Sequence, residues 1–280
     1  MSRLTVVTDT SCDLPDELLA RLSVTVVPLI VRFGEEVYLD TELPRERFWQ
    51  LAERTPPSTS APPLGAFLAT FQELVQQGAE VLCLTITGRH SNVYSIAWSA
   101  AQEFEGKVTV VDSQSLSWGL GWQVVAAAEA AARGEPLETI LSIVEGVRSR
   151  VSIQLVLDTL SYLRRGGRAD RFISVVDKAA RALSIKPIIV FSEGEMKLSG
   201  LSRTWERGVR RMLGQFVAKM PLEALAVGHT FRRERAEEFA DEFARMTGFP
   251  AEGIPIFEPS CVIASHAGPG LLAAVGLSKP

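Results

Sequence analysis

Short apolar runs alternate with helical repeats through the first half of the chain. Leu4–Thr8, Val24–Val31, Val81–Ile86 and Val108–Val111 are aliphatic and rich in β-branched residues, and they read as buried strands. Between them, Leu64, Phe67, Leu68, Phe71, Leu74 and Val75 recur at helical spacing. Val93, Ile96, Ala97, Ala100, Ala101 and Phe104 do the same. Ala-rich Trp122–Arg133 predicts a further helix closed by Gly134. Continuous apolar strands alternating with helices predict a parallel sheet covered on both faces.

The second half has another rhythm. Ile153–Leu157 predicts a strand, followed by Tyr162–Arg171 with a break at Gly166-Gly167 and a helical Phe172–Leu183. Lys186–Phe191 and Met196–Ser199 flank Ser192-Glu193-Gly194-Glu195 and predict a hairpin. Arg203–Lys219 and Glu234–Thr247 read as helices. Leu225–Gly228, Ile254–Glu258 and Cys261–Ser265 read as strands, with a last helix at Leu271–Val275. The expected fold is α/β: a parallel-sheet α/β domain over residues 1–150 and a mixed α+β domain over 151–280. Thr55–Pro63, rich in Pro, Ser and Thr, reads as a loop.

Composition narrows the classes. A chain of 280 residues that is 46% hydrophobic, with mean hydropathy +0.14, has enough apolar material for large cores and is not globally disordered. The net charge of −4 excludes a generally basic nucleic-acid binder. Residues 1–150 carry 11 basic and 19 acidic residues, whereas 151–280 carry 18 and 14. Within 161–211 there are 12 basic and 5 acidic residues. That segment suits an anionic partner or an acidic docking surface, or it is a solvated helix face near Arg203, Arg207, Arg210 and Arg211. Cys12, Cys83 and Cys261 are too scattered for a disulfide framework, and no metal-ligand cluster is visible. The start shows no basic segment followed by a long apolar one, and Trp118–Ala132 is interrupted by Gln123 and Glu129. These features predict a soluble, cytoplasmic protein without stable membrane insertion, and the default oligomeric state is a monomer.

Candidate chemistry gathers where polar residues precede helices. Four such places stand out: Pro57–Pro63, Thr87–Asn92, Asp112–Gly121 and Ser265–Gly270. Helix N-termini expose free N–H groups and partial positive charge, and open parallel sheets bind ligands at their strands' carboxyl ends. The expectation is a pocket whose polar end takes a carboxylate or phosphate; ordinary N-capping is the simpler alternative for any one loop. Asp13 is expected to cap the helix opening at Leu14-Pro15. Ser91 with His266, oriented by Asp9 or Asp112, would alternatively suit a hydrolase of acyl esters, although no Gly-x-Ser-x-Gly elbow is present. Gly119-Leu120-Gly121 is only a partial dinucleotide motif. An interaction module working through the basic segment is a third class.

The ordered motifs resemble the DegV family of bacterial fatty-acid-binding proteins. Val7-Thr8-Asp9-Thr10-Ser11-Cys12-Asp13-Leu14-Pro15, Thr59-Ser60-Ala61-Pro62, Thr87–Tyr94, Asp112-Ser113 and Gly119-Leu120-Gly121 carry the likeness in the first half. Leu157-Asp158-Thr159-Leu160, Tyr162-Leu163, Gly166-Gly167-Arg168, Ile185-Lys186-Pro187-Ile188 and His266-Ala267-Gly268-Pro269-Gly270 carry it in the second. The resemblance implies that one long-chain fatty acid is the ligand, with no other cofactor. Its carboxylate would be held by Thr59, Ser91 and His266, with Ser60 and Asn92 beside them. Phe172, Ile173, Ile188 and Ile263 are the candidates for lining its tail. It further implies that the chain is no enzyme but presents the lipid to a separate fatty acid kinase, for phosphorylation to an acyl phosphate on a route toward phospholipid precursors. Arg168 and Arg203 match the family's docking positions. Two departures from the family pattern are Ala61, where a Gln is usual, and His90-Ser91-Asn92, where a Leu precedes and a Gly follows the serine.

Overall fold

The computed structural model describes residues 3–167 and 185–280. The chain divides into two compact units, Met1–Ser149 with Ser260–Val262, and Arg150–Pro259 with Ile263–Pro280.

In the first unit the order is β1 (Arg3–Asp9), α1 (Asp16–Arg21), β2 (Thr25–Val27), β3 (Ile30–Phe33), β4 (Glu36–Leu39), α2 (Arg45–Ala52), β5 (Ser58–Ser60), α3 (Leu64–Gln76), β6 (Ala79–Thr85), α4 (Val93–Ala101), β7 (Val108–Asp112), α5 (Trp118–Ala132) and α6 (Leu137–Arg150). Four strands form the parallel sheet β2-β1-β6-β7. Their near-continuous apolar character follows from burial: Val6, Val7, Val81, Leu82, Cys83 and Leu84 are all essentially inaccessible. Helix α5 packs on β1 and β6, α3 on β2 and β6, and α4 on β6 and β7. The expected strand Val24–Val31 is in fact two strands in different sheets. Pro28 has no N–H for a ladder, and the chain passes there from β2 to the small antiparallel sheet β4-β3-β5. The expected loop Thr55–Pro63 contains β5, because Ser58, Thr59 and Ser60 pair with Arg32, Val31 and Ile30. Gly119-Leu120-Gly121 lies inside α5, not before it. There Gly121 permits close packing: a Cβ would stand 2.8 Å from Leu14 Cδ2 and 2.9 Å from the Cys12 carbonyl.

In the second unit β8 (Val151–Val156), α7 (Ser161–Arg165), β9 (Lys186–Ser192), β10 (Glu195–Ser202), α8 (Trp205–Val217), β11 (Leu222–His229), α9 (Arg233–Thr247), β12 (Ile256–Phe257), α10 (Cys261–Ala267) and β13 (Leu272–Ser278) follow, with the first residues of α10 belonging to the first unit. The sheet order is β10-β9-β8-β13-β11-β12, antiparallel except for β11 beside β12. The hairpin turns at Glu193 and Gly194, both at positive φ, the two-residue type I′ geometry. Helices α8 and α9 bury Met212, Leu213, Phe216, Phe239 and Phe243 against Val156, Ile188, Leu225 and Val227. The expected helix Phe172–Leu183 lies outside the described residues.

Two expectations near the end are overturned together. Cys261–Ser265, expected as a strand, belongs to helix α10. Leu271–Val275, expected as a helix, belongs to strand β13. Residues 261–265 are rich in small and β-branched types, but Asp40 accepts the Cys261 N–H at 2.9 Å and starts the helix. Gly268, at φ 73°, donates its N–H to the Ala264 carbonyl and ends it. Strand β13 is buried between β8 and β11, so pairing on both edges overrides the weak strand preference of Ala273-Ala274. Gly276 is required there, since a Cβ would lie 2.7 Å from the Phe216 ring.

Candidate functional site

The carboxyl ends of β1, β6 and β7 carry a polar layer: Thr8, Asp9, Thr85, Thr87, Ser113 and Ser115 are buried. Most of it is committed to the backbone. Asp9 Oδ2 accepts the Ile86 N–H at 2.8 Å, while Oδ1 accepts from the Ser11 N–H at 3.0 Å and from the Ser11 hydroxyl. Asp112 accepts the Gln114 N–H at 2.8 Å and the Gly88 N–H at 3.1 Å. These bonds fix the loop that ends in His90-Ser91-Asn92. Ser91 is half-buried, and its Oγ accepts the Val93 N–H at 3.4 Å at the start of α4. The Asn92 side chain is exposed and makes no capping bond; its carbonyl begins the helix by accepting the Ile96 N–H. Thr59 and Ser60 are half-buried neighbours on β5.

A second cluster in this unit escaped the sequence reading. Asp13 does not cap α1, whose first turn follows Pro15 without a side-chain cap. Asp13 adopts φ 53° and accepts from Ser117 Oγ at 2.6 Å and from the Ser260 N–H at 2.8 Å. Asp40 lies alongside, bonded to the Cys261 N–H. Arg45 places Nη1 3.9 Å from Asp40 Oδ1 and donates to Cys261 Sγ at 3.0 Å. Burial holds the Asp9, Asp13 and Asp40 carboxyls above the ordinary carboxylate range, Asp13 at about 7, and Arg45 pulls Asp13 and Asp40 back down. The Cys261 thiol is pushed up to about 12 by burial, so it is no nucleophile. Among the described residues, no group of three or more His, Cys, Asp or Glu could hold a metal ion.

In the second unit His266 is half-buried in the last turn of α10, with Ile263 one turn earlier on the same face. The imidazole sits against the backbone of Gly166, so closely that any Cβ there would collide with Nδ1. Tyr162 packs on Gly268 in the same way, and the Arg165 guanidinium lies over the Tyr162 ring at 4.4 Å. Pro269 therefore stands between a helix and a strand, and the fourth polar loop closes a helix where an opening was expected. Ile188 is wholly buried in the core with Val156, Trp205 and Met212. Arg203 is exposed just before α8, whose N-cap is Thr204, and Arg164, Arg165, Arg207, Arg210 and Arg211 are exposed too. Arg168, Phe172 and Ile173 lie outside the described residues.

The profile of the DegV family, described as an uncharacterised protein family, matches residues 3–279. The chain belongs to the DegV family. A DegV domain-containing protein of Deinococcus radiodurans is 32% identical over 98% of this chain and 97% of its own length. Among solved structures, a fatty-acid-binding DegV family protein from Thermus thermophilus is 31% identical with a TM-score of 0.84, covering 99% of this chain and all of its own. The fatty-acid-binding DegV of Bacillus subtilis is 25% identical with a TM-score of 0.86 over the full length of both chains. A stearic-acid-binding protein from Eubacterium ventriosum is 26% identical with a TM-score of 0.85, covering 99% and 98%. The α/β architecture of this DegV chain is thus that of its relatives. Among its described residues, no helix is long and apolar enough to cross a membrane.

Proposed function

We propose that this DegV chain binds one long-chain fatty acid and presents its carboxylate to a separate kinase. The observation that carries the reading is the whole-chain likeness to the fatty-acid-binding structure from Thermus thermophilus. The physics agrees with such a ligand. About fifteen methylenes at roughly 0.8 kcal/mol each supply on the order of 12 kcal/mol before ordering costs. The tail drives binding, and the head group must only escape the penalty of an unpaired buried carboxylate. Thr59, Ser91 and His266 are the groups assigned to it, with Ser60 and Asn92 beside them. The Asn92 side chain is the least suited, being exposed. Ile263, one turn from His266, is the best-placed candidate for the proximal tail; Ile188, Phe172 and Ile173 complete the proposed lining. In this reading the protein turns over no substrate itself. A hydrolase would need a carboxylate free to orient its histidine, and Asp9 and Asp112 each give both oxygens to backbone N–H groups.

Native mass spectrometry of protein purified from bacterial cells is expected to show a co-purified mass of fatty-acid size. An empty protein that also takes up neither palmitate nor oleate would sink the reading. The exposed Arg203, with Arg168, is assigned to docking the kinase. Arg203→Glu is expected to lower acyl-phosphate formation by about tenfold while leaving palmitate affinity unchanged. Equal loss of both would make Arg203 a residue of the fold or the pocket.

A further inference from the structure

We infer that Thr230, backed by the Asp158–Arg232 pair, is a positioning residue that sets His266 for the ligand carboxylate. This rests on the reading that His266 holds that carboxylate. Strand pairing between β11 and β13 ends at His229 and Leu272, and Thr230 is the next residue. It is buried and makes four bonds to the turn that follows α10. Its Oγ1 donates to the Gly268 carbonyl at 2.7 Å and accepts the Leu271 N–H at 3.0 Å. Its backbone N–H donates to the Leu271 carbonyl at 3.1 Å, and its carbonyl accepts the Gly270 N–H at 3.1 Å. Gly268 is the residue whose N–H closes α10, two positions after His266. Thr230 therefore grips the end of the helical turn that bears the imidazole.

A second set of contacts holds the other side of the turn. Gly270 packs on the Asp158 carboxylate with no room for a Cβ, and Trp205 Nε1 donates to the Gly270 carbonyl at 3.1 Å. Asp158 is clamped by Arg232 Nη2 at 2.9 Å and Lys186 Nζ at 3.2 Å, and the Arg232 guanidinium lies 5.2 Å from the Trp205 ring centre. Across the turn, Gly166 and Tyr162 of the α7 region touch His266 and Gly268. The imidazole is thus wedged between a bare backbone and a turn with bonds on both sides. A hydrogen bond to a carboxylate weakens steeply with distance and angle. Small slippage of the turn is therefore enough to cost head-group binding.

The test is a double-mutant cycle on delipidated protein, reading palmitate affinity in wild type, Thr230→Val, His266→Ala and the double variant. Thr230→Val is expected to weaken palmitate binding about tenfold in wild type and to have no further effect once His266 is Ala. Thr230→Ser, which keeps the hydroxyl, is expected to retain wild-type affinity. The same loss from Thr230→Val in both backgrounds, or no loss in either, would overturn the inference. If Thr230→Val shows no cooperative melt, Asp158→Asn replaces it in the cycle with the same two outcomes. An unchanged affinity in His266→Ala alone would bring down the head-group reading and this inference with it. A His266 effect that is uncoupled from Thr230 brings down the inference only.

Discussion

Arg45→Met is expected to destabilise the first unit by about 3 kcal/mol at pH 8, the cost of leaving buried carboxylates without their cation. The Asp40 side chain is almost inaccessible, and Arg45 is the cation whose charge eases both Asp13 and Asp40. The full cost of breaking a buried pair is moderated because Arg45 keeps partial solvent contact. The loss is expected to shrink toward pH 5, where Asp13 is protonated and no longer needs a partner. Urea titrations of wild type and variant at the two pH values measure it. A loss of equal size at both would mean that Arg45 contributes through packing of its stem and its bond to Cys261.

The second large effect is the pH dependence that Asp13 writes into stability. Its folded carboxyl titrates at about 7, raised chiefly by burial, whereas an unfolded aspartate titrates near 3.9. Between those values the folded state binds the extra proton, so this group's contribution falls as pH rises from about 4 to about 7. The interval corresponds to at most about 4 kcal/mol, an upper bound because Asp13 keeps some contact with solvent. Asp13→Asn is expected to flatten the slope. Its amide can still accept from the Ser260 N–H and donate to the Ser117 hydroxyl. An unchanged slope in the variant would move the titration to Asp9 or Asp40, whose carboxyls are raised as well.

Much of the architecture was legible from the sequence because local pattern and burial agree in the parallel sheet. Val81–Ile86 and Val108–Val111 are strands on any reading, and the Leu64 and Val93 helices fall where their apolar spacing puts them. Cys261–Ser265 and Leu271–Val275 were misread because local preference and tertiary pairing disagree there. Cys261–Ala267 becomes a helix through a carboxylate 221 positions earlier, and Ala273-Ala274 become strand through partners on both sides. The residues proposed for the head group were visible as hydroxyls and a histidine beside turns. Their supports were not. Nothing in the spacing of Gly166, Asp158, Thr230 and His266 signals that they meet, and Asp13 finds the Ser260 N–H 247 positions away.

Strand β13 also constrains the order of synthesis. Among the described residues it is the last in chain order of the six strands of its sheet, yet it lies inside that sheet, and it is translated after both of its neighbours, β8 and β11. Until Leu272–Ser278 leave the ribosome, the edges of β8 and β11 that pair with β13 lack that partner. The carboxyls of Asp13 and Asp40 wait in the same way for the N–H groups of Ser260 and Cys261, which follow them by 247 and 221 positions. Nascent chains of this protein therefore pass through a long stage with unpaired strand edges, the condition under which chaperone capture competes with misassembly.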